Sequence, residues 1–378
     1  MVSSLKYKLA VNLKNIPGPK VAKKIVVIEC DDYGGIRMPS LEAMKKMKAA
    51  GVSIDESRYN LLDTLEDAED LAALFEVLQS VKGADGKHAV VSPFVNVANP
   101  DFEKIKAAGY KEYYYEPFPI TYKKYGRSSN MMGLWKEGIE AGIFAPEFHG
   151  REHVSVQPWL QKLQEGNIQL QHAFSYGFVA VGNIQGIHPY AQEFRPEFYF
   201  NNEQQKKFLH RSITEGVQLF EQLFGYTPSA FMPSNSVFHP DFEETVLQTG
   251  IPFLVVAHKN PTPGPNGDLM FTNFTFRQKL QKGKLNFYIR NCAFEPTDSS
   301  YSSLESTLKQ INAAFRWNKP AIISTHRVNF VGGIDKKNRG KGLAELGLLL
   351  KKIIKHWPTV EFISTKDYIN LLLQKTKR

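Results

Sequence analysis

The stretch Ile25-Val26-Val27-Ile28-Glu29-Cys30-Asp31-Asp32-Tyr33-Gly34-Gly35 decides how this chain is read. Its apolar run predicts a buried strand, and a glycine turn ends it. Two adjacent carboxylates stand at the carboxyl end of that strand. Each must lose its hydration beside a like charge unless a cation or proton intervenes, so the pair is costly to place and marks a candidate site. The plainer reading has one aspartate capping the turn and the other facing water.

Working outward, apolar runs recur at Ala89 to Val95, Ala173 to Val179, Ala230 to Pro233, Pro252 to Val256, Leu285 to Ile289 and Ala321 to Ser324. Helical patterns lie between them. Ser40 to Ala50 has a cap-like serine, apolar Leu41 and Met44, and a stop at Gly51. Leu209, Ile213, Val217, Phe220 and Phe224 share one helical face, as do Leu343, Leu346, Leu350, Ile353 and Trp357. This alternation predicts βα units around a parallel sheet, either closed as a barrel or open and doubly wound. In both, chemistry gathers at the carboxyl ends of the strands. The segment 96–145 is rich in tyrosine (Tyr110, Tyr113, Tyr114, Tyr115, Tyr122, Tyr125) and carries Trp135. It reads as an inserted lid or binding wall, or equally as an irregular piece of core or a subunit contact.

With 378 residues, 42% hydrophobic and 22% charged, the chain can bury a sizeable core as one large domain or two smaller ones. A net charge of +9 is spread from Lys6 to Arg378 without a block of like charge. That pattern points to no nucleic-acid partner and only weakly towards anionic ones. Cys30 and Cys292 are too few for a disulfide framework, and each ends an apolar segment, so two buried thiols in a reducing compartment are expected. Lys8, Asn12 and Lys14 break up the first apolar residues, unlike a secretory signal, and no later run approaches the ~20 apolar residues of a membrane span. A cytoplasmic location is the expectation.

Two further features could carry chemistry. Glu147-Phe148-His149-Gly150-Arg151-Glu152-His153 sets two histidines four residues apart, a spacing that brings two imidazoles to one side of a helix turn or tight loop, as a divalent metal requires. Such pairs also arise without a metal. Ile322-Ile323-Ser324-Thr325-His326 ends an apolar strand in a histidine able to act as acid or base, or simply to bond a backbone carbonyl. Of the other histidines, His239 stands apart because it follows Met232-Pro233-Ser234-Asn235. Neither a phosphate-cradling glycine motif nor a Gly-x-Ser-x-Gly elbow is present, which moves nucleotide hydrolysis and serine esterase chemistry down the list.

In this order, Asp31-Asp32, His149 with His153, and His326 resemble the motifs of the polysaccharide deacetylases (NodB-type, carbohydrate esterase family 4). The connecting segments are similar too: Glu203 to Gly225 before Tyr226-Thr227-Pro228, the turn at Gly250-Ile251-Pro252, and Val360 to Thr365 as a closing strand. The resemblance implies an α/β fold, a deformed (β/α) barrel of about seven strands over residues 24–378, behind an N-terminal extension of residues 1–23. It implies Asp32, His149 and His153 as ligands of one divalent metal, zinc or else cobalt, nickel or manganese. Asp31 would be the general base and His326 the general acid. Ser234, Asn235 and Tyr33 would surround the substrate, with a backbone N–H near Ser234 facing the oxyanion. The implied reaction removes the acetyl group of an N-acetylated saccharide or glycan precursor.

The chain departs from that family in two places. The family carries an arginine two residues before its proline, orienting the base; here Phe231 stands there, and Arg195, Arg316 and Arg327 are candidates to replace it. Tyr33 stands where the family has glycine beside the metal ligand, which predicts a reshaped sugar site. Asn291, Glu295 and Asp298 are candidates to tune His326. Two other readings stay open: hydrolysis of another non-peptide C–N bond at the same metal site, and a catalytically silent glycan-binding protein that holds its saccharide with the tyrosine-rich segment.

Overall fold

The computed structural model describes residues 2–264, 268–274, 277–300 and 302–375. Nine strands form its main sheet: β1 (Ile25–Tyr33), β2 (Val91–Val95), β3 (Glu147–Phe148), β4 (Ala230–Phe231), β5 (Phe253–Val256), β6 (Asn286–Ile289), β7 (Cys292–Ala293), β8 (Ala321–His326) and β9 (Glu361–Phe362). Their order is β6-β5-β4-β3-β2-β1-β8-β7, with β9 paired to the start of β1, and every pairing is parallel. Helices between the strands cover the outside, as parallel crossovers require.

The sheet is curled, and side-chain reach demonstrates it. β6 stands five places from β1 in the order of pairing, which would be about 24 Å on a flat sheet with ~4.8 Å between strands. Yet the Tyr288 hydroxyl of β6 donates to Glu29 Oε1 of β1 at 2.6 Å. Ile25 and Val27 alternate inward with Glu29 and meet Phe94, Val255, Tyr288 and Ile322 from four other strands. Val26, Ile28 and Cys30 face the surrounding helices. Tyr368, Ile369 and Leu372 of the helix Thr365–Lys375 join the inner cluster and plug the amino-terminal end of the barrel. β6 and β7 are joined only through Arg290 and Asn291, with no ladder between them, so the barrel has a seam.

The expected helices form for the expected reasons. Ser40 accepts from the Ala43 N–H at the head of Leu41–Ala49, and Gly225 takes a left-handed φ of 77° at the end of Glu203–Phe224. The strand expected over Ala173 to Val179 is not one. Asn167 caps a helix, Ile168–Ser175, by accepting from the Leu170 N–H, and Ala173 and Phe174 are its buried face. The short strands β3 and β7, two residues each, are set by pairing with their neighbours rather than by any pattern of their own.

The tyrosine-rich segment 96–145 also departs from the lid expectation. It folds as a short hairpin and three helices that pack into the body of the protein: Tyr122 is buried and donates to Glu66 at 2.5 Å, and Trp135 Nε1 donates to the Tyr122 hydroxyl at 3.1 Å. The segment before β1 is stitched to the barrel through Asn12 and Asn15, Asn15 Oδ1 accepting from Asn291 Nδ2 at 2.8 Å and Trp317 Nε1 donating to Asn12 Oδ1 at 3.1 Å. Among the described residues no helix is long and apolar enough to cross a membrane. Both cysteines are buried free thiols, as expected, and burial pushes their pKa values up.

The helix Lys336–His356 crosses the turn after β8 so closely that a Cβ on Gly342 would lie 1.7 Å from the Asn329 carbonyl oxygen. Gly342→Ala should therefore lower stability by about 2–3 kcal/mol through forced displacement. Gly340→Ala, with nothing within 4 Å of the new Cβ, should raise it by about 0.5–1 kcal/mol. Denaturant midpoints of the two variants should move in opposite directions.

Candidate active site

Adjacent residues of a strand point to opposite faces, so Asp31 and Asp32 could not share a site on a regular β1. The register between β1 and β2 shifts between Cys30 and Tyr33, and Asp32 adopts a left-handed φ of 77°. This bulge at the end of the strand turns both carboxylates into one cavity of ≈ 510 Å³ at the carboxyl ends of the strands. Gly35 O and the Asp63 and Glu66 carboxylates receive the buried Arg327 guanidinium, which braces the turn that follows.

His149 directly follows β3, and His153 lies one tight loop further on. His149 Nδ1 donates to the Met232 carbonyl and His153 Nδ1 to the Arg195 carbonyl, each at 2.7 Å, which orients both rings with Nε2 directed at Asp32. The Nε2 to Asp32 Oδ1 distances are 3.6 and 3.5 Å. One ligand atom from each of Asp32, His149 and His153 falls within 4.8 Å of the others, and all three residues are buried. Burial, with the Arg195 charge behind it, holds His153 well below the usual imidazole pKa and keeps it neutral. Two oriented imidazoles and a carboxylate fit a divalent cation such as zinc.

Asp31 is held differently. The Arg290 guanidinium, immediately after β6, grips it with two bonds, Nη1 to Oδ2 at 2.5 Å and Nη2 to Oδ1 at 2.8 Å. Its Nε donates to Glu29 at 2.6 Å, and the Phe94 ring lies beneath it at 4.8 Å. Burial opposes ionisation of Asp31, but Arg290 outweighs it and keeps the carboxyl below its ordinary range. This is the orienting arginine that the sequence leaves unplaced at Phe231. Phe231 itself packs in the core, 5.1 Å from the Phe148 ring. None of the three named candidates holds Asp31: Arg316 is exposed, Arg327 is spent on Asp63 and Glu66, and Arg195 lines another wall of the cavity. Arg290 was missed because it sits at the far edge of the sheet order; its place just after an apolar strand was the available signal.

His326 ends β8 in register with Asp31, with 3.8 Å between Nε2 and Asp31 Oδ2. Glu295 accepts from its Nδ1 at 2.6 Å, while Asn329 and Arg58 hold the other Glu295 oxygen. Of the three residues considered for tuning His326, Glu295 does so. Asn291 bonds backbone of the β8 start, and the Asp298 carboxylate caps Ser300. Burial alone would lower the imidazolium pKa; Glu295, then Asp31 and Asp32, outweigh it and push the pKa up to about 9.

One expected substrate contact falls elsewhere. The Tyr33 ring, turned outward by the same bulge, is buried against Phe144 at 5.5 Å and Trp135 at 6.0 Å. The Ser234 hydroxyl accepts from the Glu197 N–H at 2.9 Å, while the oxyanion contact expected at this turn is a backbone N–H. Asn235 does line the cavity, with Ser236; both have left-handed φ, 53° and 56°. The aromatic wall comes from Tyr59 and Tyr190, not from residues 96–145.

No family profile and no curated protein matches the chain. Its fold is similar to a structure described as a candidate polysaccharide deacetylase from Mycobacterium smegmatis, at 10% identity and a TM-score of 0.47, over 96% of this chain and 94% of that one. It is similar also to the Puue allantoinase (12%, TM-score 0.44, 94% and 92% covered). A 4-alpha-glucanotransferase from Thermococcus litoralis matches at 10% and a TM-score of 0.44, over 92% of this chain and 40% of that one.

Arg290→Met should leave Glu29 and Asp31 buried without their cation and lower stability by about 3–5 kcal/mol, measured by chemical denaturation. Glu295→Gln should act on pH dependence. Because a raised pKa keeps His326 protonated until about pH 9, the variant should lose its imidazolium at lower pH, and the fall in any activity needing that proton should move to lower pH. An NMR titration of the ring would measure the shift directly.

Proposed function

We propose that the protein is a metal-dependent hydrolase that removes an acetyl group from an N-acetylated sugar or glycan precursor. The observation that carries this reading is the convergence, in one cavity, of the Asp32, His149 and His153 ligand atoms with an arginine-held Asp31 and a carboxylate-held His326. A divalent ion held by the triad supplies Lewis-acid polarisation of an acyl oxygen and acidifies water.

The rest falls to the chain's own side chains. Asp31, kept ionised by Arg290, accepts a proton from the attacking water as its oxygen bonds to the acyl carbon. His326, protonated through its bond to Glu295, delivers a proton to the nitrogen as the C–N bond breaks; an amine anion is too poor a leaving group to depart without it. Acetate and free amine result. The 3.8 Å between Asp31 Oδ2 and His326 Nε2 is short enough for a small movement to return the proton and restore both groups. Asn235 and Ser236, with the aromatic rings of Tyr59 and Tyr190, line the space open to the sugar.

Two variants test the assignment. His149→Ala should lose bound metal by elemental analysis, and Asp31→Asn should keep the metal but lower acetate release about 10²–10⁴-fold. Unchanged metal content in the first, or undiminished turnover in the second, would remove the corresponding role.

A further inference from the structure

Two cations in the cavity have no carboxylate within hydrogen-bond distance among the described residues. Arg195 is only 6% exposed and makes no ion pair or side-chain hydrogen bond among the described residues, its Nε being buried and unpartnered. Arg37 is 9% exposed, and its Nε is likewise unpartnered. Its nearest carboxylates are Asp63, at 3.6 Å, and Asp32, at 3.9 Å. Both are otherwise engaged: Arg327 bonds both oxygens of Asp63, and Asp32 belongs to the metal triad. The two arginines also repel one another, since burial and then the Arg37 charge hold Arg195 well below the usual guanidinium pKa. A buried charge without a hydrogen-bonded counterion is costly, and a like charge lining the same cavity adds to that cost.

The backbone is strained to keep this arrangement. Glu193 and Phe194, immediately before Arg195, take consecutive left-handed φ values of 63° and 54°. The Arg195 carbonyl is fixed by His153 Nδ1, which ties the arginine to the metal triad. Strain and unpaired charge together are tolerated where a ligand relieves them.

We propose that Arg37 and Arg195 form a subsite for an anionic group, a carboxylate or a phosphate, carried by the substrate beside the bond that is cleaved. Its position relative to the scissile bond rests on the triad being the hydrolytic centre; the binding of an anion does not. The substrate class thereby narrows to acidic N-acyl compounds, such as an N-acetylated sugar acid or sugar phosphate. The planar guanidinium forks match either oxyanion with paired hydrogen bonds.

The test uses the full-length protein, as purified and after chelation, titrated calorimetrically with inorganic phosphate, with glucuronate, and with neutral glucose as control. One or both anions should bind where glucose does not, and which of them binds identifies the anionic group. Arg195→Gln and Arg37→Gln should each weaken that binding at least about 30-fold, as loss of one buried charge pair demands. His149→Ala and chelation should leave it in place, so a failed metal assignment and a failed anion subsite give different results. Absence of binding by both anions, binding undiminished in Arg195→Gln, or binding lost on chelation would each overturn the proposal. Melting temperature provides a second readout. Arg195→Met, which keeps the apolar stem and removes the unpaired charge, should melt at the same or a higher temperature without ligand; a lower one would mark Arg195 as a structural residue.

Discussion

The Arg290 guanidinium, clasped between Glu29 and Asp31, is the interaction on which the rest of the structure depends. Three charges inside a barrel are tolerable only if each meets its partner at hydrogen-bond distance, because the low-dielectric interior penalises any that is left alone. Glu29 is satisfied by Arg290, Tyr288 and Thr365, and Asp31 by both ends of the same guanidinium. Meeting those bonds brings β6 across from β1 and so requires the sheet to curl. It also sets the ionisation of the residue assigned as base.

That arrangement resolves the liability of two adjacent aspartates. Their like charges are separated by giving each a different cationic environment: a fixed guanidinium for Asp31, and two imidazole Nε2 atoms with room for a cation for Asp32. The bulge at the end of β1 makes this possible by breaking the alternation that would have sent one of them to the outside. The Tyr33 side chain takes the outward direction instead and joins the core. Around these two carboxylates the site grades from fixed charge to adaptable wall, with His326 oriented by Glu295 on one side and Arg37 and Arg195, neither hydrogen-bonded to a carboxylate, on the other.

Much of this was legible before any coordinates. The apolar runs at Ile25 and Ala321 are strands because their pattern is local; spacing alone offered His149 and His153 as a pair, and the family resemblance joined Asp32 to them. Glu295 was within the candidates for His326. The run at Ala173 misled because a helix face followed by a buried loop, through Val179, mimics a short strand in one dimension. The tyrosines of 96–145 left lid and core both open because an amphipathic ring looks the same in a core as in a binding wall; the bond from buried Tyr122 to Glu66 decides for the core at that position.

The sequence by itself determined most of the alternation of strands and helices and the buried thiols, which follow from periodicity, while the set Asp32, His149 and His153 was implied by the order of motifs in the family resemblance. Only the tertiary structure decided which arginine serves Asp31. Arg290 lies 259 positions away in the chain and at the far edge of the pairing order, so nothing local links the two; the curl of the sheet brings them to 2.5 Å. The direction of Tyr33 and the isolation of Arg195 were decided there too, because a bulge reverses side-chain alternation and because a charge can be called unpaired only when its surroundings are known.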